Sequence, residues 1–349
     1  MTFSYVTHEV RVVFGTGVLS TLPDELDRAG FSSVMLLTTP GRAAERDRVV
    51  SLLGSRLVGE YSGARLHVPV EVVADARAAL ERSRPQSLLA YGGGSAIGLG
   101  KALAHATGLP LAAVATTYSG SEMTAVWGNS DGTVKRTFRN TEVAPRLVLY
   151  DPLLTYGLSR EVTVASGMNA IAHCVEAEYA PERGPVTSAA ALEGLKHLAA
   201  SLPVVAESPR DQSARYDALL GAHYAGRALD MTAMGLEHKL AHIMGGSFHL
   251  NHSEAHAALV PWVTAWNAPA APAAMQRMAT ALGTGDAAAA LIDLAQRLGI
   301  KPLRALGFSA NDIPRAIEIA LGLSFPNPRP VNADGIRWVL ERALDGKDL

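Results

Sequence analysis

The sequence predicts a chain in two parts: an α/β N-terminal domain with a Rossmann-like, mostly parallel sheet, then an all-α helical C-terminal domain. Three observations carry this. The 349 residues exceed the usual span of one hydrophobic core. Short apolar runs alternate with helical patterns over residues 1–152. Over residues 153–349 only long Ala- and Leu-rich stretches broken by Gly and Pro remain.

The strand-length runs are Val10–Phe14, Ser33–Thr38, Ser87–Tyr91, Leu111–Ala115 and Arg146–Tyr150. Four of them are almost continuously apolar, as strands buried on both faces of a parallel sheet should be. Helical patterns lie between them at Leu19–Ala29, Arg42–Leu53, Val70–Arg84 and Ser95–Thr107. The second domain is predicted to hold helices at Val162–Tyr179, Val186–Ser201, Gln212–Leu229, Gly235–Met244, Glu254–Trp266, Ala271–Leu282, Ala287–Leu298, Ala310–Leu321 and Asn332–Leu344.

Composition narrows the class of partner. Hydrophobic residues make up 48%, charged residues 18%, and the net charge is −2. That describes a globular protein without the basic footprint that nucleic acid or an anionic membrane requires, so small soluble substrates are expected. Cys174 is the only cysteine, which excludes an intrachain disulfide. The first residues carry no basic and apolar signal segment, and the apolar run Leu109–Thr116 is far shorter than the roughly 20 residues of a membrane span. A cytoplasmic location is the expectation.

Two loops point to a nucleotide. Tyr91-Gly92-Gly93-Gly94-Ser95 leaves a predicted strand and enters a helix. Consecutive glycines permit close backbone approach, and unpaired N–H groups at a helix start suit a phosphate. Thr116-Thr117-Tyr118-Ser119-Gly120-Ser121 follows the next strand and is rich in hydroxyls. Both loops fall at carboxyl ends of strands, where open α/β sheets bind ligands. The spacing is not GxGxxG, so an ordinary βα turn is the competing reading.

The second domain concentrates histidines. Of 11 in the chain, five (His238, His242, His249, His252 and His256) fall between positions 238 and 256. His238 and His242, His252 and His256, and Asn169 and His173 are each four apart, so each pair shares one helical face. Three helices could aim polar groups at one centre. Imidazoles serve there as metal ligands or as acids and bases near neutral pH.

With these blocks in order the chain resembles the iron-containing alcohol dehydrogenase superfamily, and within it the maleylacetate reductases. The resemblance runs through Phe14-Gly15-Thr16-Gly17, Gly92 to Lys101, Thr116 to Thr124, Ser166 to His173, His238 to His242, Gly245 to Phe248 and Asn327-Pro328-Arg329-Pro330. It implies the dehydroquinate synthase-like fold, with a cleft between a nucleotide-binding domain and a helical domain. It also implies reduction of the C=C bond of 2-maleylacetate to 3-oxoadipate with NADH or NADPH, in aromatic-compound degradation. A metal-dependent alcohol dehydrogenase and a reductase of another enone or keto acid are the alternatives.

The resemblance assigns roles as well. Thr39, Gly92, Gly93, Gly94, Ser95, Thr116, Thr117, Ser119 and Ser121 are expected at the cofactor. His173, His238, His242 and His252 are expected to be catalytic, with Asn169, Lys239 and Arg329 at a small dicarboxylate substrate. Metal-dependent relatives bind iron or zinc through one Asp and three His. Those positions here are Asn169, His173, His238 and His252, so the carboxylate has become a neutral amide, and activity without metal is implied. Thr38-Thr39-Pro40-Gly41-Arg42 stands where many relatives carry an Asp for the ribose 2′-OH, which would admit either cofactor. A homodimer is also implied. Asn251, Glu237, Trp262 and Phe325 depart from the expected pattern.

Overall fold

A computed structural model describes residues 3–41, 43–130 and 135–347. The chain divides into one unit of Thr7–Gly157 and a second unit that runs from Leu158 onward and includes the segment up to Val6. In the first unit the elements are β1 (Arg11–Phe14), α1 (Leu22–Arg28), β2 (Val34–Leu37), α2 (Ala43–Leu53), β3 (Leu57–Tyr61) and α3 (Val70–Ser83). They continue with β4 (Ser87–Gly92), α4 (Gly94–Thr107), β5 (Leu111–Ala115), β6 (Val126–Ser130), β7 (Lys135–Arg139) and β8 (Leu147–Tyr150).

Six strands form one sheet in the order β1-β8-β5-β4-β2-β3, and every pairing in it is parallel. Every residue of β2, β4, β5 and β8 is buried. This is why these four strands stand out as apolar runs in the sequence.

Three strands escaped the sequence reading. β3 is an edge strand, and its half-buried and exposed residues alternate through Gly59 and Glu60, so no apolar run marks it. β6 and β7 form an antiparallel pair outside the main sheet. Both are polar, and Trp127 facing Phe138, ring centroids 4.9 Å apart, supplies their apolar contact. The predicted helix Leu19–Ala29 is two elements, a 3-10 turn at Val18–Thr21 and then α1, with Pro23 in its first turn. Arg42, the expected start of α2, lies outside the described residues.

The second unit holds α5 (Arg160–Tyr179), α6 (Pro185–Glu207), α7 (Gln212–Asp230), α8 (Leu236–Ser247) and α9 (His252–Asn267). α10 (Pro272–Leu282), α11 (Ala287–Leu298), α12 (Ile313–Leu321) and α13 (Ala333–Asp345) follow. No strand occurs in it among the described residues. α5 buries 16 of its 20 residues and packs against α6, α7 and α9. A helix buried nearly all round has little amphipathic contrast, and this one is the unit's spine. α6 continues through Pro203, six residues past its expected end at Ser201. α9 begins at His252 rather than Glu254, because the Asn251 side chain accepts from the N–H groups of Ser253 and Glu254. Trp262 and Trp266 join Leu259, Phe308 and Ile336 in the apolar core, with Phe325 packed against it. Among the described residues no helix is long and apolar enough to cross a membrane.

The tightest helix contact generates a prediction. A Cβ at Gly167 would lie 2.3 Å from Cδ2 and 2.7 Å from Cδ1 of Leu202, so α5 and α6 approach only because Gly167 has no side chain. Gly167→Val should lower stability by about 1–3 kcal/mol. The check is a urea titration, in which the midpoint falls while the slope is kept. An unchanged midpoint would show that the two helices separate without cost.

Candidate active site

In the first unit the strand order sets the nucleotide loops. From β2 the chain moves outward to β3, whereas from β4 it moves the other way to β5. The carboxyl ends of β2 and β4 therefore flank the topological switch point, the usual ligand crevice of such sheets. Thr39, half-buried, lies just beyond β2, and Gly92 to Ser95 lie at the end of β4.

Two glycines matter there for different reasons. Gly92 has φ +152°, outside the range of ordinary side chains, and a Cβ on it would sit 3.0 Å from the Ala96 Cβ. A Cβ on Gly93 would lie 2.7 Å from both Cγ2 and Oγ1 of Thr117. Gly93 thus keeps open the space between the turns after β4 and β5. It is also the N-cap of α4, where no side chain occupies the first amides. Thr116 is fully buried, and its hydroxyl finds no hydrogen-bond partner among the described residues. An open helix start, a cradle that a Cβ would fill and an orphaned hydroxyl together fit a phosphate-bearing cofactor.

A residue not singled out from the sequence anchors the second loop. Lys101 on α4 is fully buried and donates to the Ser121 carbonyl at 2.5 Å, Thr124 Oγ1 at 2.9 Å and the Val126 carbonyl at 2.8 Å. It ties Ser121 to α4. Nearby, the Tyr150 hydroxyl donates to Glu122 at 2.8 Å, and burial pushes the Glu122 carboxyl above the usual range.

The second unit brings the predicted imidazoles together. Ring centroids of His173 and His238 are 5.1 Å apart, those of His238 and His256 4.7 Å, and those of His252 and His256 4.4 Å. His242 stands 5.1 Å from His252 and 6.5 Å from His238. Asn169, one turn before His173 on α5, is buried as well. His249 is exposed in the turn after α8, at φ +59°.

Two carboxylates organise the cluster, and neither was among the predicted site residues. Glu176 on α5 accepts from the backbone N–H groups of Gly235 and Glu237, both at 2.8 Å, and of His238 at 3.4 Å. It thereby fills the N-terminus of α8, where unpaired amides favour an anion. It also lies 2.8 Å from Nδ1 of His238. Glu237, noted in the sequence only as a departure, reaches Nδ1 of His238 at 3.0 Å and Nδ1 of His256 at 2.9 Å. Nε2 of His256 lies 3.1 Å from Nε2 of His252.

The charges follow from these contacts. Burial opposes a cation at His238, but Glu176 and Glu237 outweigh it and lift its pKa to about 9. Burial likewise opposes an anion at Glu237, but His256 and His238 hold its pKa at about 2. His173 has no carboxylate beside it, so burial and then the charges of His238 and His256 push it well below its usual value.

With Asn169 neutral, this donor set lacks one of the charges that would offset a dication. Ligand atoms of Glu237, His238 and His256 fall within 4.8 Å of one another, but they are engaged as hydrogen-bonded carboxylate–imidazole pairs. Of the four positions that the family resemblance gives to a metal, Asn169 is a neutral amide, while His173, His238 and His252 remain imidazoles. Three buried atoms there, Asn169 Oδ1, His173 Nδ1 and His238 Nε2, lack partners among the described residues. They are open to a ligand.

Arg329 and Lys239 are placed differently. The Arg329 guanidinium stacks over the Trp266 ring, 4.7 Å from its centroid, and donates to the Trp266 carbonyl at 2.8 Å. Asn327 holds this segment through a reciprocal amide pair with Asn267, at 2.8 and 3.2 Å. Lys239 is half-buried on α8, one residue past His238.

Residues 9–152 match the iron-containing alcohol dehydrogenase family, and residues 163–344 match the C-terminal domain of the same family. The chain therefore belongs to the iron-containing alcohol dehydrogenase family and is an oxidoreductase. Within that class it is 45% identical to the maleylacetate reductase of Burkholderia cepacia over 96% of each chain. It is 39% identical to the solved maleylacetate reductase of Agrobacterium tumefaciens, with a TM-score of 0.94 over 99% of both chains. The fold extends to a sulfoacetaldehyde reductase from Bifidobacterium kashiwanohense solved with NAD+, 21% identical, with a TM-score of 0.90 over 99% of both chains.

The pKa shifts predict a pH profile of stability. His238 binds its proton more tightly when folded (about 9 against 6.5), so its contribution is complete below about pH 6.5 and is lost as pH rises through about 9. His173 binds its proton more weakly when folded, so acid below about pH 6.5 favours the unfolded chain. Melting temperature should therefore peak near pH 6.5 and fall on both sides, and His238→Asn should flatten the alkaline limb. A wild-type curve that stays level from pH 6.5 to 9 would remove the charge from His238.

Proposed function

We propose that the protein reduces the C=C bond of 2-maleylacetate to 3-oxoadipate, using NADH or NADPH and one proton. The observation that carries this reading is the full-length likeness to maleylacetate reductases, with Asn169 where metal-dependent relatives have a carboxylate. The open amides of α4, the space kept by Gly93 and the Thr116 hydroxyl support a nicotinamide dinucleotide in the first unit. The sequence Thr38-Thr39-Pro40-Gly41-Arg42 holds no carboxylate that would repel a ribose 2′-phosphate. A bound nicotinamide supplies hydride to the alkene carbon β to the substrate ketone.

The chain's own groups do the rest. Negative charge develops on the ketone oxygen, and a preorganised donor there lowers the barrier. His238, held between two carboxylates, presents Nε2–H for that oxygen, with His173 and Asn169 beside it. His252 or His242, or a water they hold, delivers the proton to the adjacent carbon. Arg329, whose guanidinium keeps donors beyond the one given to Trp266, and Lys239 receive the substrate carboxylates. No metal enters this scheme. We place the enzyme in the cytoplasm as a homodimer acting on a soluble dicarboxylate, the setting that the resemblance implies.

Two experiments test the reading. Gly93→Val should fill the gap beside Thr117 and weaken NADH binding sharply, read from the fluorescence of bound cofactor, while circular dichroism stays native. Unchanged affinity would make the glycines a simple turn. In the second, wild-type enzyme treated with a chelator should still oxidise bound NADH when maleylacetate is added. His252→Ala should slow that single turnover about 10²–10³-fold with little effect on cofactor binding. Activity lost to the chelator and restored by iron or zinc would overturn the metal-free scheme. A native rate in the variant would take His252 out of the reaction.

A further inference from the structure

We propose that Glu237 and His256 are a positioning pair that holds His252 in one ring orientation for the reduction. This rests on the reading that the imidazoles serve catalysis, and it adds two residues that the resemblance does not assign. Both are buried, Glu237 to 1% exposure and His256 to none.

The geometry dictates a direction. Both oxygens of Glu237 lie 2.9 Å from Nδ1 of His256, and a carboxylate can only accept, so Nδ1 of His256 carries the proton. Nε2 of the same ring lies 3.1 Å from Nε2 of His252, so the two imidazoles share one proton between them. The orientation of the His252 ring is thus fixed from two residues away.

The clamp is anchored at its far end as well. Glu237 stands in the first turn of α8, and its backbone N–H donates to Glu176 of α5 at 2.8 Å. His252 and His256 are one turn apart on α9. Glu176 holds His238 independently of Glu237. Glu237 also reaches Nδ1 of His238, and its line to His252 runs through His256. A role of this kind, outside contact with substrate, resembles the partners that orient ligating or catalytic histidines elsewhere.

Glu237→Gln keeps the shape but puts an N–H where one carboxylate oxygen accepted. Expected are a folded protein with unchanged NADH affinity and a single-turnover rate at least about 10-fold lower. The 15N spectrum of imidazole-labelled enzyme should show the tautomers of His256 and His252 redistributed. His256→Gln should lower the rate as well, and the double variant should lose less than the product of the two single losses, since Glu237 reaches His252 through the His256 ring. If Glu237→Gln fails to fold, His256→Gln carries the same readouts. A folded variant with the wild-type rate, or losses that multiply in the double variant, would overturn the proposal. Wild-type enzyme that leaves NADH unoxidised by maleylacetate would instead overturn the assigned reaction, and the wild-type tautomers would still test the clamp.

Discussion

The helical unit depends on one buried carboxylate. Glu176 sits at the open end of α8 and answers three backbone N–H groups together with Nδ1 of His238. A buried anion is tolerated only when such partners replace its lost hydration. Here the same contacts join α5 to α8 and set where the first turn of α8 begins. His238 and Glu237 both lie in that turn, so their positions follow from Glu176.

Charge balance explains how the cluster holds together around a neutral Asn169. The family resemblance implies an Asp at that position wherever a dication is to be matched. In this chain two carboxylates are matched by imidazoles, with His238 drawn toward its charged form and His173 pushed toward its neutral one. The result is a set of rings with different protonation states within a few ångströms. That arrangement can stabilise an oxyanion and deliver a proton from separate groups.

The sheet unit solves a different problem, which is to bring backbone close to a ligand without filling the space. Gly92 and Gly93 do this at the end of β4. Lys101 does it indirectly, because one ammonium satisfies two carbonyls and a hydroxyl of the neighbouring loop. A buried lysine costs much less when its donors are used, and this one anchors the end of the loop that carries Thr116 and Ser119.

What the sequence determined by itself was whatever repeats along the chain. The runs that became β2, β4, β5 and β8 were legible because burial on both faces makes a strand apolar throughout. The i, i+4 spacing of Asn169 and His173, His238 and His242, and His252 and His256 placed each pair on one face, since helical geometry is local. Edge strand β3 and the polar hairpin β6–β7 were not legible, because half-exposed strands leave no continuous signal. Glu176, Glu237 and Lys101 were missed for a related reason: a charged residue on a helix looks the same in sequence whether it faces water or a buried partner. Only the packing of α5 against α8 and α9 decided that Glu176 caps a helix and that Glu237 bridges His238 and His256. Tertiary structure decides such matters because hydrogen bonds between residues 62 or 19 positions apart leave no period in the chain that carries them.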